Sequence, residues 1–276
     1  MNLYDLINVL PDDDAFQPVF RILKNVSRLD GNRMANLSKL LPLIARLKAL
    51  VECGSEPFRH FEPLISWIVH YEAELSQAED WLRNAFGVDL ENRLGEAGFN
   101  LSGHYPRLRV EIFALTVDFS IYKTAIWYGP WQERLGQCPM WPETIAERLS
   151  NLRDRLGGPV IAEAFCECLE HSYADITGRG SSIPVPIIEL MESFVSEQER
   201  CWECSPRRPR SERAIRADFS FNLFRFAGPL MHTGLQLKVA SLSHTRRRKD
   251  FLWVPDSESG SGTVYSHVVW RERHHE

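Results

Sequence analysis

The residues of this chain with the clearest chemical potential are basic, and they lie in two short blocks of its last quarter. The first basic block, 200–216, contains six arginines against two glutamates, and the second basic block, 246–249, consists of three arginines and a lysine. Each block carries a net +4, whereas the whole chain carries −5. Positive charge concentrated in this way is typical of a surface that binds phosphate or an acidic protein. The binding residues that we predict are Arg207, Arg208, Arg210, Arg213, Arg246, Arg247, Arg248 and Lys249.

Three interpretations of the basic blocks remain open on the sequence. Arginine makes planar, bidentate contacts with phosphate, and nearby aromatic rings could stack on nucleic-acid bases. Those rings are Trp202, Phe224, Phe226 and Trp253. Alternatively, the arginines pair with an acidic protein partner or with the chain's own acidic surplus. The third interpretation is a solvated turn whose charge keeps sheet edges from pairing with other chains.

A second candidate chemistry rests on Asp218, Gln236 and Lys238, whose spacing suits a metal-dependent nuclease of the PD-(D/E)xK type. In such a site, a carboxylate at one strand holds Mg²⁺ while a lysine on the next strand positions the attacking water. The sequence predicts that Asp218 opens one strand and that the other two residues lie on the next. Glutamine binds metal more weakly than glutamate, however, and a basic turn follows where that fold requires a helix. Gln236 and Lys238 are equally well explained as the polar face of a strand.

The cysteines raise the question of a zinc site. Cys201 and Cys204 have the C-x-x-C spacing that tetrahedral zinc accepts, and they are the only metal ligands that we consider. Cys166 and Cys168 lie in a segment that we predict to be helical, where residues two apart point about 200° from each other. They therefore do not bind one ion together. We expect reduced thiols, no structural metal and no cofactor.

The spacing of apolar residues predicts an α+β fold, because helical and strand-like periodicities alternate along the chain. We predict a helical region over 1–98, a β-hairpin region over 99–141, a second helical region over 142–205 and a basic antiparallel meander over 206–276. These regions form either one continuous domain or two related α+β halves. The second possibility rests on a short internal sequence similarity, the echo segments: Asp118-Phe119-Ser120 and Gly129-Pro130 recur as Asp218-Phe219-Ser220 and Gly228-Pro229.

The strands that position the candidate residues follow from runs of β-branched and aromatic residues. Two of them form the hairpin, Leu108–Phe119 and Lys123–Tyr128. Four more are predicted after the first basic block: Asp218–Phe226, Leu235–Ser241, Asp250–Val254 and Val264–Trp270. The second basic block is thus predicted to be a turn between two strands.

The chain as a whole has the composition of an ordinary globular protein, with 44% hydrophobic and 25% charged residues. Its start lacks the basic region of a signal peptide, and no apolar run is long enough to cross a bilayer. We expect a soluble, cytoplasmic protein that does not contact a membrane. With no trusted catalytic signature, the sequence favours a non-catalytic subunit or adaptor of a multiprotein assembly. Its partners would be another protein and, through the basic blocks, a nucleic acid; the alternative is the nuclease.

Overall fold

The protein has an α+β fold in which helical blocks alternate with antiparallel sheets, as the sequence predicts. The computed structural model describes residues 2–11, 13–53, 58, 60–178, 181–201 and 211–271, with the backbone alone for 198–201. Within these ranges, no helix is both long and apolar enough to span a membrane. The chain divides into two compact units. Unit 1 comprises Met1–Glu96, Val117–Thr124 and Pro139–Ala146, and unit 2 comprises Ala97–Thr116, Ala125–Cys138 and Glu147–Glu276.

In its described residues, unit 1 is built mainly from four helices. Asn2 caps the first by accepting a hydrogen bond from the Asp5 N–H at 2.8 Å, and Pro18 lies in the first turn of the second. The fourth helix has 35 residues and ends at Glu96, within the predicted helical region. The bounds are Leu3–Val9 (α1), Gln17–Asp30 (α2), Leu37–Cys53 (α3) and Glu62–Glu96 (α4).

The predicted hairpin is the centre of a larger sheet. Five antiparallel strands follow one another in chain order: Leu101–His104 (β1), Arg107–Val110 (β2), Phe113–Asp118 (β3), Lys123–Tyr128 (β4) and Glu133–Pro139 (β5). The long predicted strand 108–119 is split by a turn at Glu111, whose φ of 53° is left-handed. Strands β1 and β5 were not predicted, because their sequences are polar and each contains glycine, which weakens the strand signal.

Unit 2 continues with helices and a second antiparallel sheet. The helices are Pro142–Arg155 (α5, which begins in unit 1), Ala162–Thr177 (α6), Ile187–Cys201 (α7), Glu212–Arg225 (α8) and Ala227–Leu230 (α9). The strands are Val185–Pro186 (β6), Leu235–Val239 (β7), Leu252–Pro255 (β8) and Gly262–Trp270 (β9). Strand β9 pairs with all three others, so it forms the centre of this sheet. The predicted strands at 235–241, 250–254 and 264–270 are confirmed.

The predicted strand Asp218–Phe226 is wrong, because these residues form most of helix α8. Phe219, Phe221 and Leu223 alternate as in a strand, but Phe219, Leu223 and Phe226 also have helical spacing. The core selects the second pattern: Phe219 and Leu223 are 3% and 2% exposed, whereas Phe221 is only half-buried. Ser211 caps the helix by accepting from the Ala214 N–H at 3.3 Å.

The two echo segments adopt different structures. Asp118 ends β3 and is followed by a turn, in which its carboxylate accepts hydrogen bonds from Ser120. Asp218 lies inside helix α8. The shared residues therefore do not occupy equivalent places in two halves.

Candidate nucleic-acid interface

The two basic blocks meet at one buried carboxylate in unit 2. Glu133, the first residue of β5, is 2% exposed. The Arg216 Nε donates to its Oε1 at 2.7 Å, and the Arg248 Nε donates to the same oxygen at 3.2 Å. Arg216 belongs to the first basic block and Arg248 to the second, so Glu133 connects segments that lie 32 residues apart in sequence.

Arg216 is the more buried of the two arginines, and its hydrogen bonds explain how it is accommodated. It is 2% exposed, and its Nη2 donates to the backbone carbonyls of Arg248 at 3.0 Å and Phe251 at 2.8 Å. Burial lowers the pKa of Arg216, and it also lowers the pKa of Arg248. At Arg216 the nearby Glu212 and Glu192 carboxylates oppose that lowering of the pKa, because negative charge favours the protonated guanidinium. Arg216 therefore acts as an internal support and contributes nothing to an exposed surface.

Around this internal pair, four other cations of the two blocks face solvent. Arg213 lies on the first turn of α8, three residues before Arg216, and Arg246, Arg247 and Lys249 flank Arg248. All four are exposed, and none forms an ion pair with another described residue. We call these four residues the basic patch. Arg207, Arg208 and Arg210, which the sequence also predicts as binding residues, lie outside the described part of the chain.

Arg248 differs from the other predicted binding residues because its guanidinium is already occupied. It forms an ion pair with Glu133, and 38% of its side chain remains accessible. Its clearest structural role is to fix the second basic block against the start of β5. The neighbouring residues, rather than Arg248, present free charge to a ligand.

Most of the aromatic rings expected near the basic blocks are unsuited to base stacking. Trp253 is 4% exposed and packs edge-on against Tyr128, with 5.3 Å between the ring centroids. Phe226 is 9% exposed and belongs to the apolar core of unit 2. Phe224 also packs against that core, and Trp202 lies outside the described residues. Phe226 and Trp253, which the sequence offered as possible stacking rings, are therefore too buried for that role.

A different pair of tryptophans is placed for stacking, on the exposed face of the five-stranded sheet. The guanidinium carbons of Arg107 and Arg109 lie 5.3 and 6.0 Å from the ring centroid of Trp131. That of Arg134 lies 6.0 Å from the ring of Trp127. Arginine at alternate positions of an otherwise apolar strand, R-L-R-V, is the signal in the sequence that indicates this face.

The residues of the nuclease hypothesis are not arranged as that site requires. Asp218 lies on helix α8 rather than at a strand, and its Oδ1 accepts the Gly157 N–H at 2.9 Å. Gln236 and Lys238 are exposed on β7, opposite Val269 and His267 of β9. A strand-borne aspartate is the defining element of that motif, so the predicted catalytic set loses its metal-binding member.

The described cysteines do not form a metal site. Cys166 and Cys168 lie on helix α6, where the pKa of the Cys166 thiol is raised by burial and by the nearby Glu170 and Glu163 carboxylates. Cys201 ends α7, and its side chain, like all of Cys204, is outside the described residues.

Another set of possible ligands connects α6 and α7. The His171 Nε2 lies 3.8 Å from the Asp175 Oδ2 and 4.0 Å from the Glu197 Oε1. His171 and Asp175 are more than half exposed, so these contacts have the character of weak surface pairs. A cleft of about 390 Å³ beside His171 is lined by Glu167, Glu170 and Trp270. Burial and the neighbouring Glu167 raise the pKa of Glu170. These carboxylates make the cleft unsuitable for phosphate.

The basic patch and the tryptophan-bearing sheet face are thus the described surfaces with chemistry suited to a polyanion. No protein-family model, curated protein or solved structure matches this chain.

Proposed function

We propose that this protein is a non-catalytic subunit or adaptor that binds nucleic acid through phosphate contacts of the basic patch. The observation that carries the proposal is the convergence of both basic blocks on Glu133, which leaves Arg213, Arg246, Arg247 and Lys249 exposed and without an acidic partner among the described residues. Exposed cations held on a fixed support can bind several phosphates of one backbone at once. Within a multiprotein assembly, such a subunit contributes binding rather than chemistry.

Placement of the patch favours nucleic acid over an acidic protein partner. Arg248 is anchored to Glu133, and the next residue of β5 is Arg134, which opens onto the sheet face that carries Trp127. Arg134 thus places positive charge beside an aromatic ring, one residue from the carboxylate that anchors Arg248 and on the other face of β5. Cations interleaved with aromatic side chains suit a ligand that has both phosphates and bases. An acidic protein would use the charge alone.

The test is the salt dependence of binding, measured by fluorescence anisotropy with labelled duplex and single-stranded oligonucleotides between about 25 and 300 mM salt. Four phosphate contacts predict a slope of log K against log salt near −3.6 on duplex DNA and about −2.8 on a single strand. The triple variant Arg246→Ala, Arg247→Ala, Lys249→Ala is expected to flatten the duplex slope by up to about 2.7. Its stability is expected to change by less than about 0.5 kcal/mol per site, since these side chains are exposed.

The control variant removes the same net charge elsewhere. Arg21, Lys24 and Arg28 are exposed on α2 of unit 1, and the triple alanine variant at these positions has the same formal charge as the first. We expect it to bind with an unchanged slope. Equal losses in the two variants would mean that net charge, not the basic patch, governs binding. Absence of binding at low salt would overturn the proposal, and loss of an acidic protein partner in the patch variant would then assign the patch to that partner.

A further inference from the structure

The five-stranded sheet has one apolar face and one face that carries cations and aromatic rings. On β2, Leu108 and Val110 are 5% and 0% exposed, whereas Arg107 and Arg109, which alternate with them, are exposed. Residues directly opposite in an antiparallel pair share a face, so Thr116 and Ala114 of β3 lie beside these arginines. On β4, Trp127 alternates with the buried Ile126 and Tyr128, and it therefore belongs to the same outer face.

One tryptophan of this face, Trp131, is held in a fixed position. The Trp131 Nε1 donates to the Thr116 Oγ1 at 3.1 Å, and the Trp131 backbone N–H donates to the Gly129 carbonyl at 2.7 Å. Trp131 also adopts a left-handed backbone conformation, with φ of 57°, which is uncommon for a bulky residue. The loop thus turns this side chain onto the sheet face despite an unfavourable backbone geometry. Such strain is concentrated at sites that hold a side chain for a purpose.

Arginines accompany both rings, and the charge around them is positive. Arg107 and Arg109 lie over Trp131, and Arg134 lies over Trp127, at the distances given above. Only two carboxylates occur in the five strands. Asp118 ends β3, and Glu133 is turned to the buried side, where it binds Arg216. We call Arg107, Arg109, Trp127, Trp131 and Arg134 the stacking face.

We propose that the stacking face binds unpaired bases, so that the ligand of this protein is a single-stranded nucleic acid. This inference rests on the proposed function, because the phosphates of the same strand would contact the basic patch. In a duplex the bases are already stacked inside the helix, and a flat sheet can reach only their backbone. Unpaired bases can instead stack on an indole ring or on a guanidinium plane, which is how sequence-tolerant single-strand binders gain affinity.

The proposal makes binding to single strands depend on the two rings. We would measure the affinity for a 12-nucleotide single strand and for a duplex of the same length, using Trp131→Ala and the double variant Trp127→Ala, Trp131→Ala. Loss of one stacked base is expected to weaken single-strand binding by about fivefold to 150-fold. The affinity for duplex and both salt slopes are expected to stay unchanged, since no phosphate contact is removed. Trp81→Ala, at an exposed position on α4, is the matched control and is expected to change neither affinity.

A conservative variant separates stacking from folding. Trp131→Phe loses the hydrogen bond to Thr116 but keeps an aromatic ring. Because stacking needs only the ring, we expect this variant to retain single-strand affinity within about threefold. Near-ultraviolet circular dichroism would verify that each variant is folded. An equal loss of affinity in Trp131→Phe and Trp131→Ala, with both folded, would overturn the stacking role.

The outcomes also distinguish failure of this inference from failure of the proposed function. The protein could bind duplex and single strand equally, with an affinity that the tryptophan variants leave unchanged and the patch variant lowers. That result would reject the stacking role of the sheet face and leave the proposed function standing. Absence of binding to either form at low salt would reject both. We expect selective binding to the single strand. That selectivity should be lost in the tryptophan variants, and the slope of log K against log salt should flatten in the patch variant.

Discussion

At the scale of single residues, Glu133 determines how the basic blocks are presented. It joins Arg216 from 83 positions away and Arg248 from 115 positions away, so no local pattern in the sequence indicates the pair. The sequence correctly indicates where positive charge is concentrated. It does not indicate that Arg216 would be buried, because an arginine between Ile215 and Ala217 has the same local appearance whether its partner is solvent or a distant carboxylate.

Removal of the Glu133 carboxylate is expected to destabilise the protein strongly. Glu133→Ala would leave Arg216 buried and charged beside Arg248, and breaking a buried ion pair by removing one partner typically costs about 3–5 kcal/mol. Urea unfolding would measure the change. Glu143→Ala is the control, because Glu143 also binds an arginine, Arg93, but both side chains are about half exposed. That pair is expected to contribute at most about 1 kcal/mol. Similar losses in the two variants would show that Glu133 is not an internal support.

At the scale of elements, the sequence predicted those strands and helices whose apolar spacing is unambiguous. Strands β7, β8 and β9 and helices α6 and α7 fall in this class. Helix α8 does not, because its phenylalanines fit both periods, and only packing against the core of unit 2 selects the helix. Strands β1 and β5 form because the neighbouring strands offer unpaired backbone groups, and this is information that their own residues do not carry.

The packing of β8 against β9 gives an element-scale prediction at Gly262. A Cβ added there would lie 2.3 Å from the ring of Trp253, which is buried, so the ring has no free direction in which to move. We expect Gly262→Ala to lower the free energy of unfolding by about 1–3 kcal/mol, as overpacking of a core does. Gly228→Ala is the matched control, because a Cβ at that position meets nothing within 4 Å. Chemical denaturation of both variants would check the difference, and a neutral Gly262→Ala would show that β8 and β9 are more loosely packed.

At the scale of the whole molecule, the fold class was predictable from the sequence but the arrangement of the surface was not. The alternation of helical and strand-like periods determines an α+β fold. The basic patch depends on two segments meeting at β5, and the stacking face depends on which side of a five-stranded sheet is covered. Both are consequences of tertiary packing. For this reason the sequence indicated where positive charge is concentrated in the last quarter of the chain but did not indicate the tryptophans of the sheet.

The stability of unit 2 is expected to come from its apolar core rather than from a metal ion. Phe165 is fully buried and contacts the rings of Phe194, Phe219 and Phe226, with centroid distances of 5.0 to 6.0 Å. Phe165→Ala is expected to cost about 3–5 kcal/mol, which corresponds to a fall of roughly 6–20 °C in melting temperature. A zinc chelator is expected to leave the melting temperature of the original protein unchanged, since a core of this size needs no metal to fold. Elemental analysis would accompany both measurements, because Cys201 and Cys204 have zinc-binding spacing. Stoichiometric zinc, together with a chelator effect as large as that of Phe165→Ala, would mean that these cysteines hold a structural ion.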